Sequence, residues 1–420
     1  MATNVNNEGV YDVLIVGGGP AGSTAAILLA TAGWRVTVAE RKAFPRRKVC
    51  GEFVSATSWP LLHQLRVAEP LLAHCGPEIR RVGFYAGETT LSANMPSPRS
   101  QLQAWGRALG REHLDSALLA RAAEVGADVI QPWTVCRIDR IAEGYVCSGV
   151  AAKRQGSSTA PMASQLRARI VIAAHGSWEP GSIATQNFHY PTLASDLFAF
   201  KAHFHGGHLP SGLMPLVLFP GGYGGMVQSG DGRVTLSCCI RRDALEQCRH
   251  RGGGPGERPR AAEAAFEHIQ GCCRGVREAL SCAKLDGAWL STGPIRPGIR
   301  RFAHQGIFVI GNAAAEAHPV VAEGISMSIQ SAWLLCEHLI ARKSADFATR
   351  RNETVAAIAR DYERGWRKQF AMRIHAAACL AQLGMRPATA KVIASFLQRA
   401  PTMLTLGARW SGKTRSLRLT

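Results

Sequence analysis

Three glycines and one acid carry the first chemical signal in this sequence. Gly17, Gly19 and Gly22 stand in the spacing Gly-x-Gly-x-x-Gly, and Glu40 follows eighteen residues after Gly22. A pyrophosphate can approach a turn closely only where side chains are missing. Gly17 permits the tight turn, Gly19 lets the backbone come close to the phosphates, and Gly22 lets a following helix pack on its strand. Pro20 and Ala21 complete the turn and enter that helix, whose free N–H groups and positive dipole end suit a phosphate. Glu40 falls where a carboxylate would hold the ribose hydroxyls of an adenosine. Three glycines alone arise by chance, so the flanking elements decide the matter.

Those elements agree. Asp12-Val-Leu-Ile-Val16 is short and almost wholly apolar, the pattern of a parallel strand covered on both faces. Ala21, Ala25, Leu28, Leu29 and Ala32 recur at helical spacing, Gly33 stops the helix, and Arg35-Val-Thr-Val-Ala-Glu40 is a second strand ending in the acid. Strand, turn, helix and strand make a dinucleotide-binding βαβ unit.

FAD rather than a nicotinamide is expected from the later strands. The chain returns twice to a buried strand closed by a small-residue turn, at Arg169-Ile-Val-Ile-Ala173 before His175-Gly176 and at Ile307-Phe-Val-Ile310 before Gly311-Asn312-Ala313-Ala314. A dehydrogenase would not come back to its nucleotide in this way. There is no second Gly-x-Gly-x-x-Gly unit for NAD(P)H, which as the reductant would have to bind transiently in a groove. The expected fold class is α/β. A Rossmann-type FAD-binding domain of three segments (1–90, 91–180 and 296–345) is interleaved with a β-rich substrate domain (181–295) and followed by a helical C-terminal region (346–420). Spacing of Leu114, Leu118 and Ala122 predicts a helix over 112–125, and residues 193–240 read as β-like. The stretches 153–161 and 251–260 read as loops.

With these motifs in place, the chain resembles, over nearly its whole length, the flavoprotein group of aromatic hydroxylases, geranylgeranyl reductases and flavin-dependent halogenases. Arg111-x-x-Leu114-Asp115 matches a motif of that group whose arginine approaches the cofactor. Val135 matches a strand position beside the adenine. Gly176 closes the counterpart of an Ala-Asp-Gly motif, and Gly311-Asn312 that of Gly-Asp. Pro319, Glu323, Gly324 and Ile325 match the loop and helix start facing the flavin ring. Two aspartates of the group are replaced. Asn312 keeps a carbonyl acceptor without a charge, which implies a changed flavin potential. His175 stands for the other, either packed behind the sheet or acting as a donor.

Pro45-Arg-Arg-Lys-Val-Cys50-Gly51 resembles the Pro-Arg-x-Lys-x-Cys-Gly stretch of the geranylgeranyl reductase branch. Arg41, Lys42, Arg46, Arg47 and Lys48 favour phosphates, and their charge would activate a nearby thiol. Two readings stand for Cys50: a catalytic thiol in the flavin pocket, or a small residue letting the backbone approach the cofactor. Tyr223, in Gly221-Gly-Tyr-Gly, resembles a segment of the same branch that puts a tyrosine near the substrate. His203, His205 and His208 invite a metal reading, but no third ligand at a defined spacing supports it, so no metal is expected. Gly407 to Thr414 satisfies the phosphate-loop pattern, yet no buried strand precedes it and only six residues follow.

Composition sets the outer limits. The chain has 420 residues, 46% hydrophobic and 19% charged, with no apolar run long enough to span a membrane. Its start lacks the layout of a signal peptide, and a cytoplasmic location is the default expectation. Twelve cysteines without a Cys-x-x-Cys read as reduced thiols. A formal charge of +19 predicts attraction to anions: the nucleotide, an acidic carrier protein or peptide, or anionic lipid. A merely solvated basic surface is the alternative. Nucleic acid is disfavoured, because the basic residues are scattered and no recognised module accompanies them.

The first expectation for function is an FAD-dependent monooxygenase, using O2 and NAD(P)H on an aromatic or other electron-rich small molecule, free or held by a carrier or peptide. The second is reduction of C=C bonds in a prenyl chain, which the Cys50 segment favours. Halogenation ranks third, since no Trp-x-Trp-x-Ile-Pro stretch occurs. A non-catalytic flavin-binding protein is the remaining alternative, resting on Asn312 and His175.

Overall fold

Tyr11–Val16 takes the centre of a parallel sheet because both of its faces are apolar. Val13, Leu14 and Ile15 are all fully buried. In the computed structural model, which describes residues 9–97, 105–151, 163–177, 183–186, 191–251, 259–342 and 351–413, this strand pairs in parallel with Val36–Ala39 and Ala163–Ala173. Asp128–Ile130 and Ile307–Val309 extend the sheet on either side, again in parallel. The helix Pro20–Thr31 packs between the helices Arg111–Glu124 and Gly324–Ile340. Of the two returns read from the sequence, the one at Arg169–Ala173 pairs directly with the first strand, and the one at Ile307–Val309 pairs with that return. The expected loop at 153–161, most of the loop at 251–260 and Thr414 lie outside the described residues.

A second sheet of seven strands runs in the order Lys284–Ile295, Leu197–His205, Val234–Arg241, Gly222–Gln228, Leu213–Phe219, Arg81–Ala86, Thr89–Asn94. The β-like stretch at 193–240 supplies four of these strands. The hairpin Arg81–Asn94 also enters this sheet, so the chain crosses to it within the stretch read as the first FAD segment. Side chains along Val234–Arg241 alternate between the two faces of this sheet. The adjacent Cys238 and Cys239 fall into different core clusters for this reason. Cys238 packs with Phe200, Leu236 and the helix Ala261–Cys272, while Cys239 packs with Phe84, Leu218 and Tyr223. All twelve cysteines are free thiols.

The helix Arg351–Gly384 ties the two sheets together. Tyr362, Trp366 and Phe370 along its middle are buried in the core of the parallel sheet, and Ala381 near its end in that of the seven-stranded sheet. The Tyr362 hydroxyl donates to the carbonyl of Val309 (3.2 Å). Two shorter helices, Pro387–Arg399 and Thr402–Ala408, then cap the seven-stranded sheet. Gly407 lies inside the last of these, so no strand leads into the phosphate-loop pattern. No helix among the described residues is long and apolar enough to cross a membrane.

Candidate functional site

The glycines of the first turn divide into two kinds. A Cβ on Gly17, whose φ is +107°, would sit 2.6 Å from the carbonyl oxygen of Ala174, and one on Gly22 would sit 1.8 Å from that of Gly17. The protein's own packing therefore demands both. Gly19 is different: a Cβ there would meet only the Arg111 guanidinium, at 3.8 Å. The helix that begins at Pro20 has no side-chain cap, so its first N–H groups face this open space. Buried Glu40 lies beside it and accepts the N–H of Gly18 (2.8 Å) and of Lys42 (2.9 Å). Arg46 stands 3.9 Å from Glu40 and 3.8 Å from Asp115.

Arg111 and Asp115 form a buried two-pronged pair, both bonds 2.7 Å long. Burial works against the Arg111 charge, but the Asp115 carboxylate and the neighbouring Cys50 more than offset it and raise its pKa. Cys50 thus stands against Arg111, at the edge of the glycine turn. Its half-buried sulfur accepts the N–H of Glu52 (3.4 Å), and its carbonyl accepts the hydroxyl of Ser237 on the second sheet (2.9 Å). Nothing lies within 4 Å of a Cβ added at Gly51, which leaves that backbone open.

Glu52 is a site residue that the sequence reading missed. It is buried, takes the left-handed φ of +56°, and gathers three partners from the second sheet. Lys201 and His203 (3.1 Å) donate to its two oxygens, and Thr235 adds a third bond (2.9 Å). Burial alone would raise the Glu52 pKa, but the His203 hydrogen bond and the Lys201 charge bring it down to about 2. The available signal was Lys201 and His203 at alternate positions of an otherwise apolar strand. His203 and His205 do not act together, since His205 is exposed and 3.5 Å from Asp286. Among the described residues no cluster suited to a metal ion occurs.

The later motifs meet the same region from the other side. Gly176 has φ +89°, and a Cβ on it would lie 3.2 Å from the Lys48 ammonium. Half-buried His175 touches Thr185 (3.2 Å), and desolvation together with the charges of Arg300 and Lys48 pushes it down to about 4. A neutral imidazole packed behind the turn results. Exposed Arg41 also bears on His175, and Val135 sits half-buried on the strand that starts where Trp133 donates to the carbonyl of Glu40 (2.8 Å). Gly311 has φ +62°, and its N–H donates to Ser331 (3.0 Å). The Asn312 amide donates to Ser177 (3.0 Å) and to Glu316 (3.2 Å), and its carbonyl accepts from Ser328 (3.4 Å). Glu323 is buried and accepts from Ser55 (3.1 Å), Gly324 is open, and Ile325 is buried.

Tyr223 does not contact Cys50 through any hydrogen bond among the described residues. Its hydroxyl instead meets His318 Nδ1 at 3.1 Å, just before the loop Pro319–Val321. Both groups are buried. Burial pushes Tyr223 well above the usual tyrosine range and His318 down to about 4, so both are neutral near pH 7.

Residues 10–189 match the family model of an FAD binding domain. These residues form an FAD-binding domain. Digeranylgeranylglycerophospholipid reductase 2 of Methanopyrus kandleri is 28% identical over 86% of this chain and 83% of its own length. The menaquinone reductase of Mycobacterium tuberculosis is 27% identical over 80% of this chain and 78% of its own. The myxobacterial chondrochloren halogenase shares the fold, with TM-score 0.73, 20% identity, and 96% and 90% of the two chains covered. FAD is the cofactor of this domain, and the residues present fit it. An uncapped helix start, an open Gly19 and unobstructed Gly51 and Gly324 leave backbone exposed where a flat, phosphate-bearing molecule needs close approach.

Proposed function

We propose that this oxidoreductase reduces isolated C=C bonds of a prenyl-type substrate, with hydroxylation of an electron-rich ring as the competing reading. The carrying observation is the apolar layer beside the cofactor cradle. Val49 next to Cys50, Trp105, Met214, Tyr223, and Val320 and Ala322 of the loop before Gly324 all belong to one hydrophobic cluster. Such a wall suits a hydrocarbon chain and excludes water from the reacting carbons. Similarity to a digeranylgeranylglycerophospholipid reductase and a menaquinone reductase over most of the chain supports the same direction.

In this proposal Gly17, Gly19, Pro20, Ala21 and Gly22 hold the pyrophosphate, Glu40 the ribose, and Val135 flanks the adenine, with Arg41 adding positive charge. Arg111, Cys50 and Gly51 line one side of the flavin. Gly176, Gly311, Asn312 and the start of the helix at Glu323, Gly324 and Ile325 line the other. Bound FAD, once reduced by NAD(P)H, supplies a hydride. The second alkene carbon then needs a proton. Tyr223 and His318 are the polar pair within the apolar layer, and each keeps its neutral form at neutral pH. Hydride on one alkene carbon leaves the former π pair on its neighbour, and that neighbour is basic enough to take a proton from a weak acid, so the donor needs no pKa near seven.

The test is anaerobic. Reduced holoenzyme is incubated with a geranylgeranyl lipid and the product is weighed by mass spectrometry, expecting one H2 gained per double bond. No saturation without O2, together with oxygen insertion into an aromatic probe in air, would establish hydroxylation instead.

A further inference from the structure

The basic charge of this protein is not spread evenly. From residue 364 to residue 420 there are eleven Lys and Arg and no Asp or Glu, so this stretch alone supplies more than half of the +19. Exposed apolar side chains concentrate in the same place. Of the thirteen large hydrophobic residues exposed among the described residues, seven lie between Met372 and Trp410.

The two short helices show why. Each has one face packed on the seven-stranded sheet: Ala394, Leu397, Leu404 and Ala408 are buried in its core. Gln398 donates to Thr89 (3.3 Å) and Thr405 to the carbonyl of Asn94 (2.6 Å), which pins both helices to the edge strand. Their outer faces should then be polar, as on an ordinary surface helix. They are not. Val392 (70% exposed) and Phe396 (52%) stand four residues apart on the outside of Pro387–Arg399, with Lys391 and Arg399 beside them. Met403, Leu406 and Trp410 (76% exposed) continue at helical spacing, with Arg409 adjacent.

An apolar stripe rimmed by cations, with no acid in the segment, is complementary to one kind of surface. We propose that this face docks on an anionic lipid bilayer. Val392, Phe396, Leu406 and Trp410 would enter the boundary between headgroups and acyl chains, while Lys391, Arg399 and Arg409 would reach the lipid phosphates. An acidic carrier protein would use the cations but leave the exposed Val, Phe and Trp without a role. The inner faces of these helices belong to the same hydrophobic cluster as Val320 and Ala322. The docking face therefore lies on the same side of the sheet as the apolar layer, which, if prenyl double bonds are the substrate, places the entrance for a membrane-dissolved chain. The docking itself does not depend on that substrate.

The experiment is co-sedimentation of the FAD-loaded full chain with vesicles, one set containing phosphatidylglycerol and one of phosphatidylcholine alone. Preference for the anionic vesicles by at least about tenfold is expected, weakening steeply between about 0.05 and about 0.5 M salt. Replacing Phe396→Asp and Trp410→Asp should reduce binding by about tenfold or more while flavin content and thermal unfolding stay unchanged, because both side chains are exposed. Equal binding of the doubly substituted chain and the parent would overturn the proposal. So would binding to a purified acyl carrier protein with no binding to either vesicle, an outcome that would assign the basic face to a protein partner. Neither outcome bears on whether double bonds are reduced, which is read in detergent-dispersed substrate.

Discussion

The side-chain amide of Asn312 donates to the carboxylate of Glu316 at 3.2 Å, and Arg300 reaches both residues. Where the resembled group carries an aspartate, this chain therefore holds a donor, with a buried carboxylate four residues further on. Asn312→Asp would set two carboxylates against each other, so one of them would keep its proton to a higher pH. A group with a raised folded pKa contributes stability below its unfolded value and loses it as pH rises. The substituted protein should thus be destabilised by about 1–3 kcal/mol relative to the parent at pH 8 and by less at pH 5. Thermal unfolding at both values checks this. The flavin potential should also move downward, and an unchanged potential would remove Asn312 from the cofactor's surroundings.

Glu40 holds two backbone N–H groups of its own chain besides any ribose. Glu40→Ala should weaken FAD retention by about 1–3 kcal/mol, since it leaves buried donors unmet. Glu40→Gln, which retains an acceptor, should lose less. Flavin absorbance after exhaustive dialysis measures both. Full retention in the Ala variant would refute the ribose assignment.

The buried Glu52–Lys201 pair makes stability depend on pH in the acid range. Because the folded pKa of Glu52 is depressed from 4.5 to about 2, its contribution is complete above the ordinary value and is lost as pH falls through that interval. Glu52→Gln strands the fully buried Lys201 ammonium, at an expected cost of about 3–5 kcal/mol. The double change Glu52→Leu with Lys201→Met should recover most of that loss. Failure of the double variant to recover would show that the bonds of Glu52 to the buried His203 and Thr235 outweigh the ion pair.

Tyr223→Phe removes the hydroxyl that faces His318 while preserving the ring's place in the core. If the pair delivers the proton, the rate of product formation should fall by about a hundredfold or more, with FAD binding unchanged. Neither wild-type group titrates between pH 5.5 and 8, so the parent's rate should be flat there on their account. A normal rate in the Phe variant would exclude Tyr223 from the chemistry.

What could be read from the chain was local. The strand–turn–helix–strand unit closes within thirty residues, and each part announces itself through apolar runs, helical spacing and glycine. The structure keeps every part, Tyr11–Val16, Pro20–Thr31 and Val36–Ala39 included. The returns at Gly176 and Gly311 were legible for the same reason, as short buried strands ending in small residues. The Glu52 cluster was not, because Lys201 is 149 residues away, and a contact that depends on how two sheets face each other leaves no periodic trace. Tyr223 shows the same limit: the resemblance of its Gly-Gly-Tyr-Gly segment to the reductase branch marked it, but its partner lies 95 residues on at His318. The basic charge, too, was visible as a total, while its pairing with an exposed apolar stripe depended on which helix faces the sheet had already covered. Local patterning chose the elements and the cofactor. The packing of one sheet against the other chose which buried charges would meet, since burying a charge is tolerable only where an opposite one arrives with it.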